Sequence, residues 1–298
     1  MLTLLLVGSS SLAFYYGVVP RIVRWAFRAP RHKEQSTPAQ YGFTFQQVSI
    51  ATENGKHLFA WYIPSVHKDP APGIVILHGW GGNAESMLAF APGLHRAGYA
   101  LLFLDARNHG QSDCDDFSSL VKFAEDLDHG LDWLKNKPGI QADRLGILGH
   151  SVGAAAAILV ASHRHDLSAV VSIAAFAHPE LFMRRYIKAH HIPYVPVGWW
   201  VLRYIESQIK ARFEQIAPVN TIQKVTCPIL LVHGALDIHV PIEDVNTIYK
   251  NRSTNEVQLK IFTDVAHTSM DKIEQYADQL IGFFNDNNGM NLNPGIIS

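Results

Sequence analysis

The sequence predicts an α/β fold in which a mostly parallel central sheet is flanked by helices. Two observations carry this. Short, almost wholly apolar runs recur along the chain, and such runs suit strands buried on both faces. Amphipathic helical patterns lie between them, and that alternation is what a parallel sheet with crossover helices requires.

The elements follow in order. Gln47–Thr52 and His57–Ile63 read as antiparallel strands around a Glu53-Asn54-Gly55 turn. The buried strands are expected at Gly73–Leu77, Ala100–Leu104, Arg144–Leu148, Ala169–Ala174, Ile229–Val232 and Val257–Phe262. Helical patterns fall at about 83–97, 117–136, 152–164, 241–250 and 270–285. One connection breaks this rhythm. The stretch between Ala175 and Ile229 is too long for a bare loop, so it predicts a helical cap at about 176–226. Its aromatic residues, among them Trp199, Trp200, Tyr204 and Phe213, are interleaved with arginines and lysines. They either pack the cap on the core, line a binding tunnel or meet lipid.

Composition sets limits. Apolar types make up 48% of the 298 residues and charged types 17%, a core-forming balance rather than a disordered one. With 25 Lys and Arg against 26 Asp and Glu there is no broad basic surface for nucleic acid. Cys114 and Cys227 are too few for a disulfide scaffold or a multi-cysteine metal site.

The chain start differs from the rest. Met1 to Pro20 carries no charged side chain, and Arg21, Arg24, Arg28, Arg31 and Lys33 follow. A cleaved signal peptide lacks its basic start here. A docked amphipathic helix is a second reading. The expectation adopted is a single membrane-spanning N-terminal helix over residues 1–33 with its basic flank in the cytoplasm. The α/β domain, residues 34–286, would then be cytoplasmic, and residues 287–298 a flexible tail.

Five motifs carry chemistry. Gly149-His150-Ser151-Val152-Gly153 sits where an apolar strand meets a small-residue helix, the setting of a nucleophile elbow. Glycines flank the serine because side chains there would strike backbone. His78-Gly79-Trp80-Gly81-Gly82 follows an earlier strand, and Asp105-Ala106-Arg107-Asn108-His109-Gly110-Gln111-Ser112 follows the next. His233-Gly234-Ala235-Leu236-Asp237 and Val265-Ala266-His267 follow the last two strands. A serine hydroxyl needs a base, and His267 alone among the histidines follows a terminal strand and precedes the final helix. Asp237 is the candidate to orient it, with Asp264 as rival. The pairs His163/His165 and His190/His191 have no matching partner at a metal-ligand spacing, so neither a metal nor a cofactor is expected.

In this order and context the motifs resemble the α/β-hydrolase superfamily over about residues 45–286. The nearest likeness is to serine-aminopeptidase-like and esterase-type members, including membrane-anchored proteins similar to the mammalian ABHD group. One position departs: Asn108 stands where the D-x-R-G-x-G-x-S segment usually has glycine. The resemblance implies Ser151 as nucleophile, Asp237 and His267 completing the triad, and the backbone N–H groups of Trp80 and Val152 as oxyanion donors. The implied reaction is hydrolysis of an ester or thioester of an apolar, lipid-like acyl substrate. Peptidase or amidase action and acyl transfer are the alternatives on the same triad. A non-catalytic, membrane-tethered binding module is the alternative of another class.

Overall fold

The computed structural model describes residues 28–66, 69–267, 269, 272 and 275–289, together with 17, 20 and 21. Among the described residues eight strands form one sheet in the order β1-β2-β4-β3-β5-β6-β7-β8. They are β1 (Gln46–Thr52), β2 (Lys56–Ile63), β3 (Ala71–Leu77), β4 (Ala100–Leu104), β5 (Ile140–His150), β6 (Leu167–Ile173), β7 (Ile229–Gly234) and β8 (Val257–Phe262). Only β2 runs against its neighbours: it pairs antiparallel with β1 and β4, and every other pairing is parallel. The β1–β2 turn holds Asn54 at φ 60 and Gly55 at φ 64, left-handed values that these two residue types accept.

Helices cover both faces. They are α1 (Ala91–Arg96), α2 (Leu120–Lys135), α3 (Val152–Ala161), α4 (Pro179–Ala189), α5 (Trp199–Ile209), α6 (Phe213–Ile216), α7 (Pro218–Thr221), α8 (Ile242–Lys250) and α9 (Ala277–Asn287). The period of two along each strand divides the core. Val75, Leu77, Leu102 and Leu104 pack with Leu127, Leu131 and Ala155 of α2 and α3. Ile74, Ile76, Leu101 and Phe103 face the other way, with Leu94 of α1 and Leu280 and Phe284 of α9. The pattern expected near 83–97 divides into a 3-10 turn at Ala84–Phe90 and the short α1, because Pro92 fits only a helix's first turn.

Helices α4 to α7 lie between β6 and β7. Met183, Ile187, Leu202 and Phe213 are buried in the core, whereas Trp199 is exposed. The buried carboxylate of Asp244 on α8 ties this insertion down. It accepts from Ala177 N at 3.0 Å and from both terminal nitrogens of Arg185 at 3.0 and 2.6 Å.

The expected N-terminal span is corrected. Among the described residues no helix is long and apolar enough to cross a membrane, so the single-span, membrane-anchored placement does not stand. Most of residues 1–27, on which it was built, lie outside the described residues. Arg31, expected in the basic flank of that span, donates to the carbonyls of Gly110 and Ser112 at 2.9 and 2.6 Å. At the other end Asn288, expected in a flexible tail, is buried and donates to Tyr99 Oη at 3.4 Å and Phe284 O at 2.8 Å. Residues 290–298 lie outside the described residues.

Candidate active site

In the sheet order the chain steps from β3 to β4 on one side and returns to β5 on the other. In open α/β sheets ligands bind beyond the strands' carboxyl ends at such a switch. The segment His78–Gly82 leaves β3 there, and Ser151 follows β5. Asp237 and His267 follow β7 and β8.

Ser151 has φ 55 and ψ −116, a strained conformation at the N-cap of α3. Steric facts explain the glycines around it. A Cβ on Gly149 would lie 2.4 Å from Gly153 O, and one on Gly153 would lie 2.5 Å from His78 O. Gly79 approaches so closely that its Cβ would lie 3.1 Å from the Ser151 Cβ. The turn is pinned where Ser151 N donates to Ile173 O at 2.8 Å.

His267 Nδ1 lies 2.6 Å from Asp237 Oδ2, and its Nε2 lies 3.0 Å from Ser151 Oγ. A carboxylate can only accept, so Nδ1 carries the proton and Nε2 is free to accept the serine hydrogen. The other oxygen of Asp237 accepts from His239 N at 2.9 Å and Val240 N at 2.8 Å. Burial alone would raise its pKa, but the hydrogen bond with His267 and that from Val240 hold it below the ordinary carboxylate value. The rival Asp264 is engaged elsewhere, accepting from Tyr276 Oη at 2.7 Å.

Val152 opens α3, so its N–H has no intrahelical acceptor. Trp80 stands on the loop that brings Gly79 against Ser151. Its indole stacks on Phe123 at 6.5 Å and meets His109 edge-on at 5.8 Å. His78 orders this loop: Nδ1 donates to Gly79 O at 2.7 Å and Nε2 accepts from Ala106 N at 3.1 Å. Full burial pushes its pKa down to about 3, so it is neutral. Asn108 takes φ 67, the left-handed state glycine would supply, and its Oδ1 accepts from Asp115 N at 2.7 Å. His163 pairs with Asp128 at 3.0 Å, and His190 Nδ1 lies 2.9 Å from Tyr186 O. Among the described residues no three His, Cys, Asp or Glu side chains converge as a metal site requires.

One participant escaped the sequence reading. His150, beside Ser151 in the elbow, places Nε2 at 2.9 Å from the carbonyl oxygen of His267. Its position beside Ser151 was the only available signal.

The sequence profile of the prolyl oligopeptidase family, Peptidase_S9, matches residues 98–290. The chain belongs to the prolyl oligopeptidase family. It is similar to an uncharacterized protein of Mycobacterium tuberculosis, 25% identical over 79% of this chain and 76% of that protein. Among solved structures it is similar to a Pyrococcus furiosus esterase, with a TM-score of 0.69 and 25% identity over 87% of this chain and 96% of the esterase chain. It shares its fold with an acetyl xylan esterase from Paenibacillus sp. R4, with a TM-score of 0.66 and 17% identity over 90% and 92% of the two chains. This prolyl oligopeptidase family member is therefore an α/β-hydrolase-fold serine hydrolase.

Proposed function

We propose that the protein cleaves carboxylic ester or thioester bonds of an apolar acyl substrate through an acyl-Ser151 intermediate. The supporting observation is the unbroken chain Asp237–His267–Ser151, with contacts of 2.6 and 3.0 Å. His267 Nε2 takes the Ser151 proton as Oγ bonds to the substrate carbonyl carbon. The carbonyl oxygen gains the negative charge and is met by the N–H groups of Trp80 and Val152. The imidazolium, stabilised by Asp237, returns its proton to the leaving oxygen or sulfur as that bond breaks. Water, deprotonated by the same histidine, then attacks the acyl carbon and frees Ser151.

The apolar preference rests on the rim. Leu236 and Ile238 flank Asp237 and are 55% and 87% exposed, and Trp80 on the loop after β3 is 39% exposed. Large apolar side chains left in water beside a reacting centre favour an apolar substrate. Action on esters is favoured by the likeness to the P. furiosus esterase. The family match favours a second reading, a peptidase on the same three residues.

Hydrolysis of p-nitrophenyl esters from acetyl to palmitoyl, beside prolyl p-nitroanilides, separates the two. Wild-type turnover of the longer esters, absent in Ser151→Ala, is the expected result. Turnover of the anilides alone would replace ester hydrolysis by the peptidase reading. Failure of a fluorophosphonate to label Ser151 would remove both.

A further inference from the structure

Residues 30–36 cross the two loops that follow β3 and β4. Pro30 packs on Gly81, where an added Cβ would lie 2.7 Å from Pro30 Cγ. The His32 carbonyl accepts from Asn83 Nδ2 at 3.1 Å. Glu85 accepts from Gln35 N at 2.6 Å and Ser36 Oγ at 2.5 Å. Arg31 holds the far loop through the Gly110 and Ser112 carbonyls.

The middle of this strap contains an unusual pair. Asp105 is fully buried at the end of β4. Its Oδ1 accepts from Ala84 N at 2.7 Å and its Oδ2 from Gln111 N at 2.8 Å. Glu34 reaches the same carboxyl group. Glu34 Oε2 accepts from Gln111 Nε2 at 2.7 Å, while Oε1 is buried with no ordinary donor. A Cβ built on Gly110 would lie 1.9 Å from Asp105 Oδ2 and 2.4 Å from Glu34 Oε1, so the two oxygens crowd one spot. Ionised carboxylates cannot donate to one another, and like charges this close do not both persist. One shared proton satisfies both.

We infer that Glu34 is a positioning residue, which through a proton shared with Asp105 fastens residues 30–36 over the loop bearing Trp80 and so fixes the oxyanion site. This rests on the catalytic reading of Ser151 and Trp80 given above. Asp105 ties the two ends together, since its other oxygen holds Ala84 N just beyond that loop.

The consequence is alkaline sensitivity. Burial first, then Glu34, holds the Asp105 carboxyl well above the ordinary range. A carboxyl raised in the folded state keeps its proton at lower pH and loses it as pH rises through the raised value. The shared proton is then lost and the strap lifts. The ionisable groups on the strap and its two loops are Arg31, His32 and Lys33 on the strap, His78 and Glu85 beyond β3, and Arg107, His109, Asp113 and Cys114 beyond β4, where Cys114 Sγ accepts from Arg31 Nη1 at 2.6 Å. Arg107 is engaged by Asp115, Glu125 and Asp126. Burial pushes His78 and His109 down to about 3 and about 4, so neither titrates on the alkaline side.

The test uses the full chain, with hydrogen exchange of peptide 28–36, corrected for intrinsic rates, beside the pH profile of p-nitrophenyl ester hydrolysis. Wild type should lose strap protection and at least about tenfold in kcat together as pH rises, with KM little changed. Glu34→Gln can donate an amide N–H to ionised Asp105 and should hold both flat. Glu34→Ala should show weak protection and low kcat at every pH. Wild-type protection independent of pH, or a Glu34→Gln profile matching wild type, overturns the latch. Protection that changes without kcat overturns the positioning role. A chain that hydrolyses no substrate removes the catalytic reading and the positioning role with it, while exchange still reports whether the carboxyl pair holds the strap.

Discussion

His150 Nε2 lies 2.9 Å from the main-chain oxygen of His267. The acceptor is a carbonyl, so Nε2 carries the hydrogen and His150 donates. The residue preceding Ser151 thus holds the segment that carries His267. The expected outcome for His150→Ala is a fall in kcat of about 10- to 100-fold with KM little changed, because a small displacement of an aligned base is costly. His150→Gln, whose amide can donate to the same carbonyl, should recover most of it. Steady-state kinetics of the two variants beside wild type measures this, and equal losses in both would count against a hydrogen-bond role.

The same residue links stability to pH. Burial first, then the neighbouring His267, pushes the His150 pKa down to about 4 from an ordinary value of 6.5. A depressed histidine leaves the unfolded chain binding a proton that the folded chain refuses, so stability is lost as pH falls from about 6.5 towards about 4. Against His150→Gln, which has no such proton, wild type should lose about 1.4 kcal/mol per pH unit in that window. Urea titrations of both proteins at pH 7 and pH 5 give the difference. An unchanged gap between them would show that His150 is not a neutral buried group.

Much of the fold was legible because it obeys local rules. The β4 and β8 segments, Ala100–Leu104 and Val257–Phe262, coincide with the observed strands because turn residues bound each one, although β8, at the sheet edge, exposes Gln258 and Lys260 instead of being buried throughout. The elbow was legible because its steric demands fall on neighbouring residues, Gly149 and Gly153. Asp237 was separable from Asp264 by its place after β7. The Glu34–Asp105 contact was not legible, since 71 positions separate the pair and a lone glutamate in a Pro- and Gln-containing stretch reads as solvated linker. The membrane reading failed for a related reason. Arginines after an apolar run are ordinary interface anchors, yet Arg31 is held by carbonyls of a loop that only the folded chain brings near it.

Strain at Ser151 lowers stability. Ser151 sits at φ 55 and ψ −116, where a side chain costs of order 1–3 kcal/mol. Glycine relieves that strain but loses about 0.5–1 kcal/mol through its freer unfolded chain. Ser151→Gly should therefore be more stable than Ser151→Ala by about 1 kcal/mol, with both inactive on esters. Thermal or urea unfolding of the two variants decides it. An alanine variant at least as stable would mean that the elbow is not strained.

Asp237 controls which nitrogen of His267 is free. Its Oδ2 fixes the proton on Nδ1 at 2.6 Å, and its Oδ1 is committed to the N–H groups of His239 and Val240. In Asp237→Asn the side-chain oxygen can still satisfy those two donors, which leaves the amide NH2 facing His267. An NH2 group only donates, so Nδ1 must become the acceptor and the proton moves to Nε2. Nε2 then cannot take the Ser151 hydrogen. Loss of about 10⁴-fold in kcat with the fold intact is the expected outcome, by analogy with other serine triads in which the tautomer is reversed. Asp237→Ala removes the acceptor for His239 and Val240 as well, so it should also lower the unfolding temperature. Kinetics of Asp237→Asn and thermal unfolding of both variants test the two halves, and an Asp237→Asn protein that is stable and retains more than about a tenth of wild-type kcat would show that the tautomer of His267 does not limit the reaction.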